Sequence, residues 1–261
     1  MKKLGFIGMG NMAQALCAGF VNSGKISAGD VYAYAPHYDK LCANSEKYGF
    51  TPCRSLAELV DSVDTVIMAC KPYQINDVLV ETGEKLHGKA LISVAAGWDF
   101  KKYSEYFDSS VRVQFVMPNT PAMVYEGVML FEAQNSLEKD EREQIKDLFA
   151  AVGIVEELSS SLMGIGGAVT GCGPAFVDMF IEGYADAAVK YGMPRQTAYR
   201  LISQMILGSA KLQLETGEHP GVLKDNVCSP SGTTICGVAS LEESGIRSAC
   251  IKSIDAIMNK K

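Results

Sequence analysis

The sequence has few of the residues that build metal sites and disulfide frameworks. It contains three histidines, one tryptophan and eight scattered cysteines, and no two cysteines form a C-x-x-C pair. Because zinc sites need closely spaced cysteine and histidine ligands, we expect no bound metal. Scattered thiols without a framework are typical of a reducing compartment, so the composition favours a cytoplasmic protein.

Long apolar runs are also lacking. A membrane-spanning helix needs about 18 or more predominantly apolar residues, and no uninterrupted run of that length occurs. The apolar segment near the N-terminus is interrupted by Gly8, Gly10, Asn11 and Gln14, a pattern unlike that of a signal peptide. We therefore expect no membrane partner.

An excess of positive charge is absent too. The net charge is -6 and the isoelectric point is near 5.2, whereas non-specific nucleic-acid binding needs a basic surface. We expect no nucleic-acid partner, although a local positive site for a small anion remains compatible with this balance. The hydrophobic content of 48% is that of a globular protein with a sizeable core.

The first part of the chain alternates short apolar runs with helical patterns. Such alternation predicts an α/β fold with a doubly wound parallel sheet and helices on both faces. The predicted helices include Met12–Val21, Leu56–Val60 and Glu138–Ala151. The predicted strands are Leu4–Ile7, Val31–Tyr34, Thr65–Ala69, Ala90–Val94, Val111–Val116, Val128–Phe131 and Ile154–Leu158.

The pattern becomes helical after Ser159-Ser160-Ser161, which places a domain boundary near residue 160. Residues 1–160 are predicted to form a dinucleotide-binding domain, and residues 161–261 an all-α domain. The long helices carry many small residues together with apolar positions on several sides, which favours burial against a second subunit. An ordinary intramolecular bundle is the alternative. The predicted helices are Gly173–Tyr191, Pro194–Glu215, Ser231–Glu243 and Ile246–Asn259.

A G-x-G-x-x-A motif, Gly8 to Ala13, directly follows the first predicted strand and opens the first helix. In a Rossmann-type domain this motif places a pyrophosphate on the free N–H groups at the helix start. The cofactor contacts expected here are Ile7, Gly8, Gly10, Asn11 and Met12. A glycine-rich turn without a ligand is the alternative.

The end of the second predicted strand bears on the choice of nucleotide. NAD enzymes usually place an acid there to hold the ribose hydroxyls, but Asp30 precedes the strand and Ala35-Pro36 follow it. Without an acid to repel a 2′-phosphate, NADPH is favoured over NADH, with Ala35 and Pro36 as cofactor contacts. His37 or Lys40 is a candidate phosphate ligand, or else simply a solvated side chain.

Two later strand ends are expected on the same ligand-binding edge of the sheet. Cys70-Lys71-Pro72 follow the third strand, and Lys71 is placed to contact a ribose hydroxyl. Its alternative is an exposed lysine before a helix-starting proline. Ala95 and Gly97 follow the fourth strand, where their small side chains leave room for a nicotinamide.

A hydroxyl-rich segment, Ser229-Pro230-Ser231-Gly232-Thr233-Thr234, precedes an apolar helical run in the second half. Free N–H groups at a helix start bind carboxylates well. The segment therefore predicts a site for a small acid. A serine- and threonine-rich helix cap without a ligand is the alternative.

The chain resembles the pyrroline-5-carboxylate reductases from end to end. The resemblance rests on Gly5–Ala13, Cys70-Lys71-Pro72, Met117-Pro118-Asn119-Thr120-Pro121, Gly171-Cys172-Gly173-Pro174-Ala175-Phe176 and, most specifically, Asp225–Thr234. One position departs from the family pattern, because Ser231 stands where a glycine is usual. A serine there must adopt the backbone angles of that glycine or shift the loop.

The resemblance implies hydride transfer from NAD(P)H to the imine carbon of L-1-pyrroline-5-carboxylate, which yields L-proline in the last step of proline biosynthesis. It implies that Thr234 hydrogen-bonds the imine nitrogen and that the N–H groups around Gly232 and Thr233 hold the carboxylate. Ser229 and Ser231 join the substrate site, and Asn119 and Asn226 join the cofactor site. It also implies a homodimer through the helical domain, with larger rings such as a decamer.

Two other functions remain open from the sequence. A β-hydroxyacid dehydrogenase shares this domain layout but usually needs a catalytic lysine on a helix of the second domain, where only Lys190 lies in Gly173–Tyr191. A non-enzymatic nucleotide-binding regulator would also keep the fold. The segment from Ser229 to Thr234 argues against a regulator, because a pure sensor has no need for a substrate site.

Overall fold

The computed structural model describes residues 3–260, and its centre is an eight-stranded sheet. The strand order is β3-β2-β1-β4-β5-β6-β7-β8. This order confirms the predicted doubly wound α/β fold, since the chain moves outward from β1 in both directions. The strands are β1 (Leu4–Ile7), β2 (Val31–Tyr34), β3 (Thr51–Pro52), β4 (Thr65–Met68), β5 (Ala90–Ser93), β6 (Arg112–Met117), β7 (Gly127–Asn135) and β8 (Gly153–Leu158).

Helices connect the strands and then form the C-terminal region. They are α1 (Asn11–Asn22), α2 (Tyr38–Tyr48), α3 (Leu56–Ser62), α4 (Ile75–Thr82), α5 (Phe100–Ser104), α6 (Lys139–Phe149), α7 (Ser160–Lys190), α8 (Arg195–Thr216), α9 (Pro220–Asn226), α10 (Thr233–Glu243) and α11 (Ile246–Met258). Short 3-10 helices occupy Ala28–Asp30, Pro72–Gln74, Gly83–Leu86, Thr120–Val124 and Ala150–Val152.

One pair of strands departs from the predicted parallel arrangement. β6 and β7 are antiparallel, with Met117 opposite Leu130, whereas the other neighbouring strands are parallel. A parallel connection needs a crossover of about a dozen residues or more, usually a helix. Only residues 118–126 join β6 to β7, and they contain a single 3-10 helix. The chain therefore turns back beside β6.

Apolar side chains are buried on both faces of the sheet. Successive residues of a strand point to opposite faces, and accordingly Phe6 joins one apolar cluster while Ile7 joins the other. In the first cluster Phe20 packs edge-on against Phe149 at a ring separation of 5.2 Å. In the second, Trp98 packs on Tyr103 at 5.1 Å. These two layers hold the strand ends, and with them the candidate site, in place.

Helix α7 begins well before the predicted start at Gly173. Its first turns contain several glycines, which disfavour a helix by about 1 kcal/mol each relative to alanine. Packing explains them: a Cβ atom on Gly167 would lie 2.2 Å from Met117 Sδ, and one on Gly166 would lie 2.6 Å from Leu158 Cδ1. The glycines let this part of α7 approach the sheet closely.

The chain divides into two compact units, the first ending at Gly171 and the second beginning at Cys172. This division lies inside α7, and the predicted domain boundary near residue 160 stays a prediction. The first unit contains the sheet and both apolar clusters. Among the described residues of the second unit, 172–260, the only buried apolar residues are Ala185 and Ala198.

Five elements were not predicted from the sequence: α2, β3, α4, α5 and α9. Three of them are short: β3 has two residues, α5 has five and α9 has seven. Elements of this length show little periodicity. By length and composition alone, α7 is also a candidate membrane span. Only 6% of its apolar window is buried within the chain, and the early turns of α7 pack against strand residues.

Candidate active site

The turn between β1 and α1 accepts only a glycine at position 8. Gly8 has a φ of 96°, and its N–H donates to the carbonyl of Tyr34 at 2.8 Å. A Cβ atom there would lie 2.7 Å from the backbone nitrogen of Cys70. Gly8 is thus held between the ends of β2 and β4, and the chain turns directly into α1.

The start of α1 is open to an anion. Gly10 is the N-cap residue, no side chain caps the helix, and a Cβ atom on Gly10 would meet nothing within 4 Å. The N–H groups of Asn11 and Met12 belong to the first turn, whose N–H groups have no partner within the helix. Backbone groups so arranged bind phosphate at the positive end of the helix dipole.

A cleft at the carboxyl ends of β1, β2 and β4 joins this turn to the start of α2. Its lining includes the cationic side chains of Lys40 and Lys71 and the ring of His37, and no carboxylate among the described residues lines it. The complete lining is Ile7, Gly8, Met9, Gly10, Tyr34, Ala35, Pro36, His37, Lys40, Leu41, Asn44, Ala69, Cys70, Lys71, Gln74 and Val78.

Seven of the predicted cofactor residues meet in this cleft. They are Ile7, Gly8, Gly10, Ala35, Pro36, Cys70 and Lys71. Leu41 and Asn44 of the lining were missed, because the polar sequence of α2 concealed the helix that carries them. Gln74 was missed as well, although the proline after Lys71 marked the short helix to which it belongs.

The β4 end of the cleft combines a half-buried thiol with an exposed lysine. Burial raises the pKa of the Cys70 thiol to about 11. The thiol is therefore neutral at physiological pH and is no nucleophile. The backbone N–H of Lys71 donates to Gln74 Oε1 at 3.1 Å. This bond fixes the turn at Pro72, next to Lys71, which lines the cleft.

The loop after β5 does not line the cleft. Ala95 is buried, and its carbonyl accepts the N–H of Trp98 at 3.2 Å across a turn in which Gly97 has a φ of 76°. Trp98 anchors this turn by packing on Tyr103 and on Tyr106. The predicted cofactor contacts at Ala95 and Gly97 stay predictions.

The side chain of Asn119 connects three parts of the first unit. Its Nδ2 donates to the carbonyl of Thr170 at 3.0 Å, and its Oδ1 accepts the N–H of Val128 at 2.8 Å. The side chain is also buried. It therefore fixes the segment after β6 to β7 and to α7, and its predicted cofactor contact stays a prediction.

In the second unit, the segment predicted to bind substrate forms a tight turn before α10. The N–H of Gly232 donates to the carbonyl of Ser229 at 3.0 Å. A Cβ atom on Gly232 would lie 2.4 Å from Ser229 Oγ. Ser231 adopts the left-handed conformation, with a φ of 57°. Of the two alternatives for the serine in place of the usual glycine, the structure has the glycine-like backbone.

The start of α10 leaves backbone donors exposed. Gly232 is the N-cap, no side chain caps the helix, and Thr233 and Thr234 are exposed. Because the N–H of Gly232 already has a partner, the donors available to a carboxylate are those of Thr233, Thr234 and Ile235. Asn226 ends α9 and is exposed.

The described part of the chain contains no group of three or more histidine, cysteine, aspartate or glutamate side chains placed to hold a metal ion. All eight cysteines are free thiols. His219 caps α9, where its Nδ1 accepts the N–H of Gly221 at 3.0 Å.

Comparisons with known proteins give matches over both units. Residues 160–261 match the family described as pyrroline-5-carboxylate reductase dimerisation, and residues 3–97 match NADP oxidoreductase coenzyme F420-dependent. A pyrroline-5-carboxylate reductase of Treponema pallidum is 40% identical over 260 residues, covering 98% of both chains. The chain belongs to the pyrroline-5-carboxylate reductase family.

Two further relatives of this family are similar over nearly the full length. The pyrroline-5-carboxylate reductase of Escherichia coli is 38% identical and covers 99% of this chain and 97% of its own. The solved pyrroline carboxylate reductase of Plasmodium falciparum, which has NADP bound, superposes with a TM-score of 0.88 at 32% identity. It covers 98% of this chain and 95% of its own. The dimerisation match places homo-oligomer formation in the helical region.

Proposed function

We propose that this protein reduces L-1-pyrroline-5-carboxylate to L-proline with NADPH, the last step of proline biosynthesis. The observation that carries the proposal is the agreement of both units with one enzyme family over nearly the whole chain. The cation-lined cleft adds a physical reason for the phosphorylated nucleotide, with NADH as the alternative.

The residues of the cleft fit NADPH. Gly8 and Gly10 present backbone to the pyrophosphate without a Cβ atom in the way, and the first N–H groups of α1, from Asn11 and Met12, hold it. When bound, NADPH supplies the hydride. Lys71 is positioned on the cleft side for a ribose hydroxyl. Pro72, Ala95, Gly97, Asn119 and Asn226 complete the proposed cofactor contacts.

The start of α10 is the proposed binding site for the imino acid. The exposed N–H groups of Thr233 and Thr234 receive its carboxylate at the positive end of the helix. Gly232 and the hydroxyls of Ser229 and Ser231 border this position. A small anionic ring is the ligand that such an uncapped helix start favours.

The reaction asks little of the protein beyond positioning. Hydride adds to the imine carbon, the carbon–nitrogen double bond becomes single, and the ring nitrogen carries a proton that arrives with the substrate or from solvent. The hydroxyl of Thr234 orients this nitrogen by a hydrogen bond, and it is the proposed catalytic residue. Aligning donor and acceptor supplies roughly 7 kcal/mol or more in well-oriented systems.

One assay separates this function from the two alternatives. We expect NADPH consumption with pyrroline-5-carboxylate, no NADPH consumption with semialdehydes and no NADP⁺ reduction with β-hydroxyacids. Turnover only with semialdehydes or β-hydroxyacids would assign a β-hydroxyacid dehydrogenase. Nucleotide binding without any imine reduction would assign a regulator. The same assay with NADH measures the preference between the two nucleotides.

The role of Thr234 has its own test. Because a hydrogen bond to a charged group is worth about 1.5–3 kcal/mol, Thr234→Ala is expected to lower kcat at least about 10-fold. The affinity for NADPH should change little, and Thr234→Ser should restore most of the activity. Ser248→Ala, which removes an exposed hydroxyl on α11, is the control. Equal loss of turnover and NADPH affinity would contradict this role.

We further propose that the protein is a cytoplasmic homodimer joined through residues 161–261, with dimers assembled into a larger ring such as a decamer. The residues before this region, 1–160, form the proposed dinucleotide-binding domain. Eight free cysteines support a reducing compartment. Light scattering should give a mass of at least twice the 28.1 kDa of the chain.

A further inference from the structure

The residue after β3 lies at the same edge of the sheet as the cofactor cleft. β2 and β3 are parallel, with Ala33 opposite Pro52, and the N–H of Cys53 donates to the carbonyl of Ala33 at 2.8 Å. Arg54 therefore follows β3 level with the point where Ala35 follows β2. Ala35 lines the cleft.

The side chain of Arg54 reaches the start of α2. Its Cζ lies 4.5 Å from the centre of the Tyr38 ring, and Tyr38 is the first residue of α2. Such stacking holds a guanidinium group by a cation–π interaction. The side chain is thereby held at the first residue of α2, which lies between His37 and Lys40, two residues that line the cleft.

The charge of Arg54 is not used by another part of the fold. None of the salt bridges in the described part of the chain involves its guanidinium group. The nearby carboxylate of Glu58 accepts the backbone N–H of Arg54 at 2.7 Å, and so belongs to the start of α3. An exposed, stacked guanidinium group remains available to a phosphate.

We propose that Arg54, together with Lys40, binds the 2′-phosphate of NADPH and thereby determines the choice of nucleotide. This inference rests on the proposed binding of a dinucleotide in the cleft. In Rossmann-type domains the adenosine ribose lies at the end of β2, where an acid selects NAD and a nearby arginine accommodates the 2′-phosphate. Here Ala35 and Pro36 occupy that end, and Arg54 supplies the planar donor group from the segment that follows the adjacent strand.

The test compares nucleotides that differ only in this phosphate. Calorimetry on the full-length protein measures the binding of 2′,5′-ADP, 5′-AMP, NADPH and NADH. Arg54→Ala should weaken the binding of 2′,5′-ADP and of NADPH roughly 10-fold, because a charge-assisted hydrogen bond is lost. Binding of 5′-AMP and NADH should stay unchanged, which also shows that the variant is folded.

A matched control lies at the C-terminal end of α2, the helix whose first residue, Tyr38, contacts Arg54. The ammonium group of Lys47 stands 4.8 Å from the centre of the Tyr48 ring in the last turn of α2. Lys47→Ala removes an equal charge and a similar ring contact, and should change none of the four affinities. Arg54→Lys keeps the charge but loses the planar donor pair. Its affinities for 2′,5′-ADP and NADPH should lie between those of the wild type and of Arg54→Ala.

Two results would overturn the proposal. One is an equal loss of affinity for phosphorylated and unphosphorylated nucleotides in Arg54→Ala, which would mean that Arg54 only shapes the turn. The other is unchanged binding of 2′,5′-ADP. A protein that discriminates between 2′,5′-ADP and 5′-AMP but reduces no pyrroline-5-carboxylate would contradict the proposed function and leave this inference standing.

Discussion

The two units of the chain differ in where their apolar side chains lie. In the first unit they fill both faces of the sheet, with Phe6, Phe20 and Phe149 buried. In the second unit the helices leave them on the surface, and Leu214 is 73% exposed. A folded domain normally buries most of its large apolar residues, and a large exposed patch marks an interface. The first unit is therefore complete within one chain, whereas the second needs a partner.

This difference explains how the chain combines its two tasks. Nucleotide binding uses strand ends and helix starts that a single sheet with its own core can hold rigidly. The helical unit carries the dimerisation match and has small residues along α7, such as Gly183, Ala187 and Ala188, which permit close helix contact. The part with the least core of its own is the part that associates.

The largest expected effect comes from placing a charge on the exposed apolar stripe of α8. Leu201, Met205 and Leu212 lie on one side of this helix and are exposed. Met205→Glu should weaken subunit association by about 3 kcal/mol or more, because a desolvated charge replaces a buried apolar side chain twice in a symmetric dimer. Light scattering across a dilution series measures this loss.

The control for this prediction is an equally drastic change in the first unit. Val80 on α4 is 88% exposed, and Val80→Glu should leave the oligomer unchanged. If Met205→Glu leaves the mass unchanged, or if both variants dissociate alike, the contrast between the units is wrong.

A smaller effect is expected within the core of the first unit. Gly153 starts β8 with a φ of 151°, and a Cβ atom there would lie 1.9 Å from the carbonyl oxygen of Gly127. Gly153→Ala should lower the free energy of unfolding by about 2–4 kcal/mol, since backbone must move as well as adopt a strained angle. Chemical denaturation followed by circular dichroism measures the change.

Gly88 is the control that distinguishes strain in the backbone angle from a steric clash of the Cβ atom. It has a φ of 78°, but a Cβ atom there would meet nothing within 4 Å. Gly88→Ala should therefore cost only about 1–2 kcal/mol, the strain of the left-handed conformation. Equal losses in the two variants would show that packing at Gly153 does not matter.

The smallest effect concerns two residues with the same strain, one in each unit. Ser231 and Tyr125 both adopt the left-handed conformation, with φ values of 57° and 64°. Ser231→Gly should stabilise the protein by about 1 kcal/mol at most, because relief of strain is partly offset by the greater freedom of glycine in the unfolded chain. The thermal midpoint and the KM for pyrroline-5-carboxylate should be measured together.

Tyr125→Gly is the counterpart in the first unit. The Tyr125 hydroxyl accepts a hydrogen bond from Asn22 Nδ2 at 2.9 Å. Because this partner is lost, the substitution should destabilise the protein even though it relieves the same strain. A gain in stability at Tyr125, or a loss at Ser231, would contradict this account.

The parts of the fold that the sequence revealed are those whose local pattern agrees with their final environment. β1, β4 and β5 are continuous apolar runs buried on both faces, so composition alone located them. The early turns of α7 were missed for the opposite reason. Their glycines disfavour a helix locally, and only contact with Met117 and Leu158 explains them.

The candidate site divides in the same way. The place of Gly8 and Gly10 in the cleft was predictable, because their spacing is that of the glycine-rich turn between a strand and a helix in Rossmann-type domains. Arg54 was not, because its sequence neighbourhood carries no motif and β3 has only two residues. The hydrogen bond from the Gly232 N–H to the Ser229 carbonyl was not predictable either, because it depends on the conformation of the turn.

Local residue patterns were enough to predict the α/β class, the glycine-rich turn between β1 and α1 and the family, because each depends on residue types at fixed spacing. Three other features became known only from the fold: β7 runs antiparallel to β6, Asn119 joins three segments, and Arg54 stacks on Tyr38 at the start of α2. These features join residues distant in sequence, and their energies come from packing and hydrogen bonds formed only after the chain has folded.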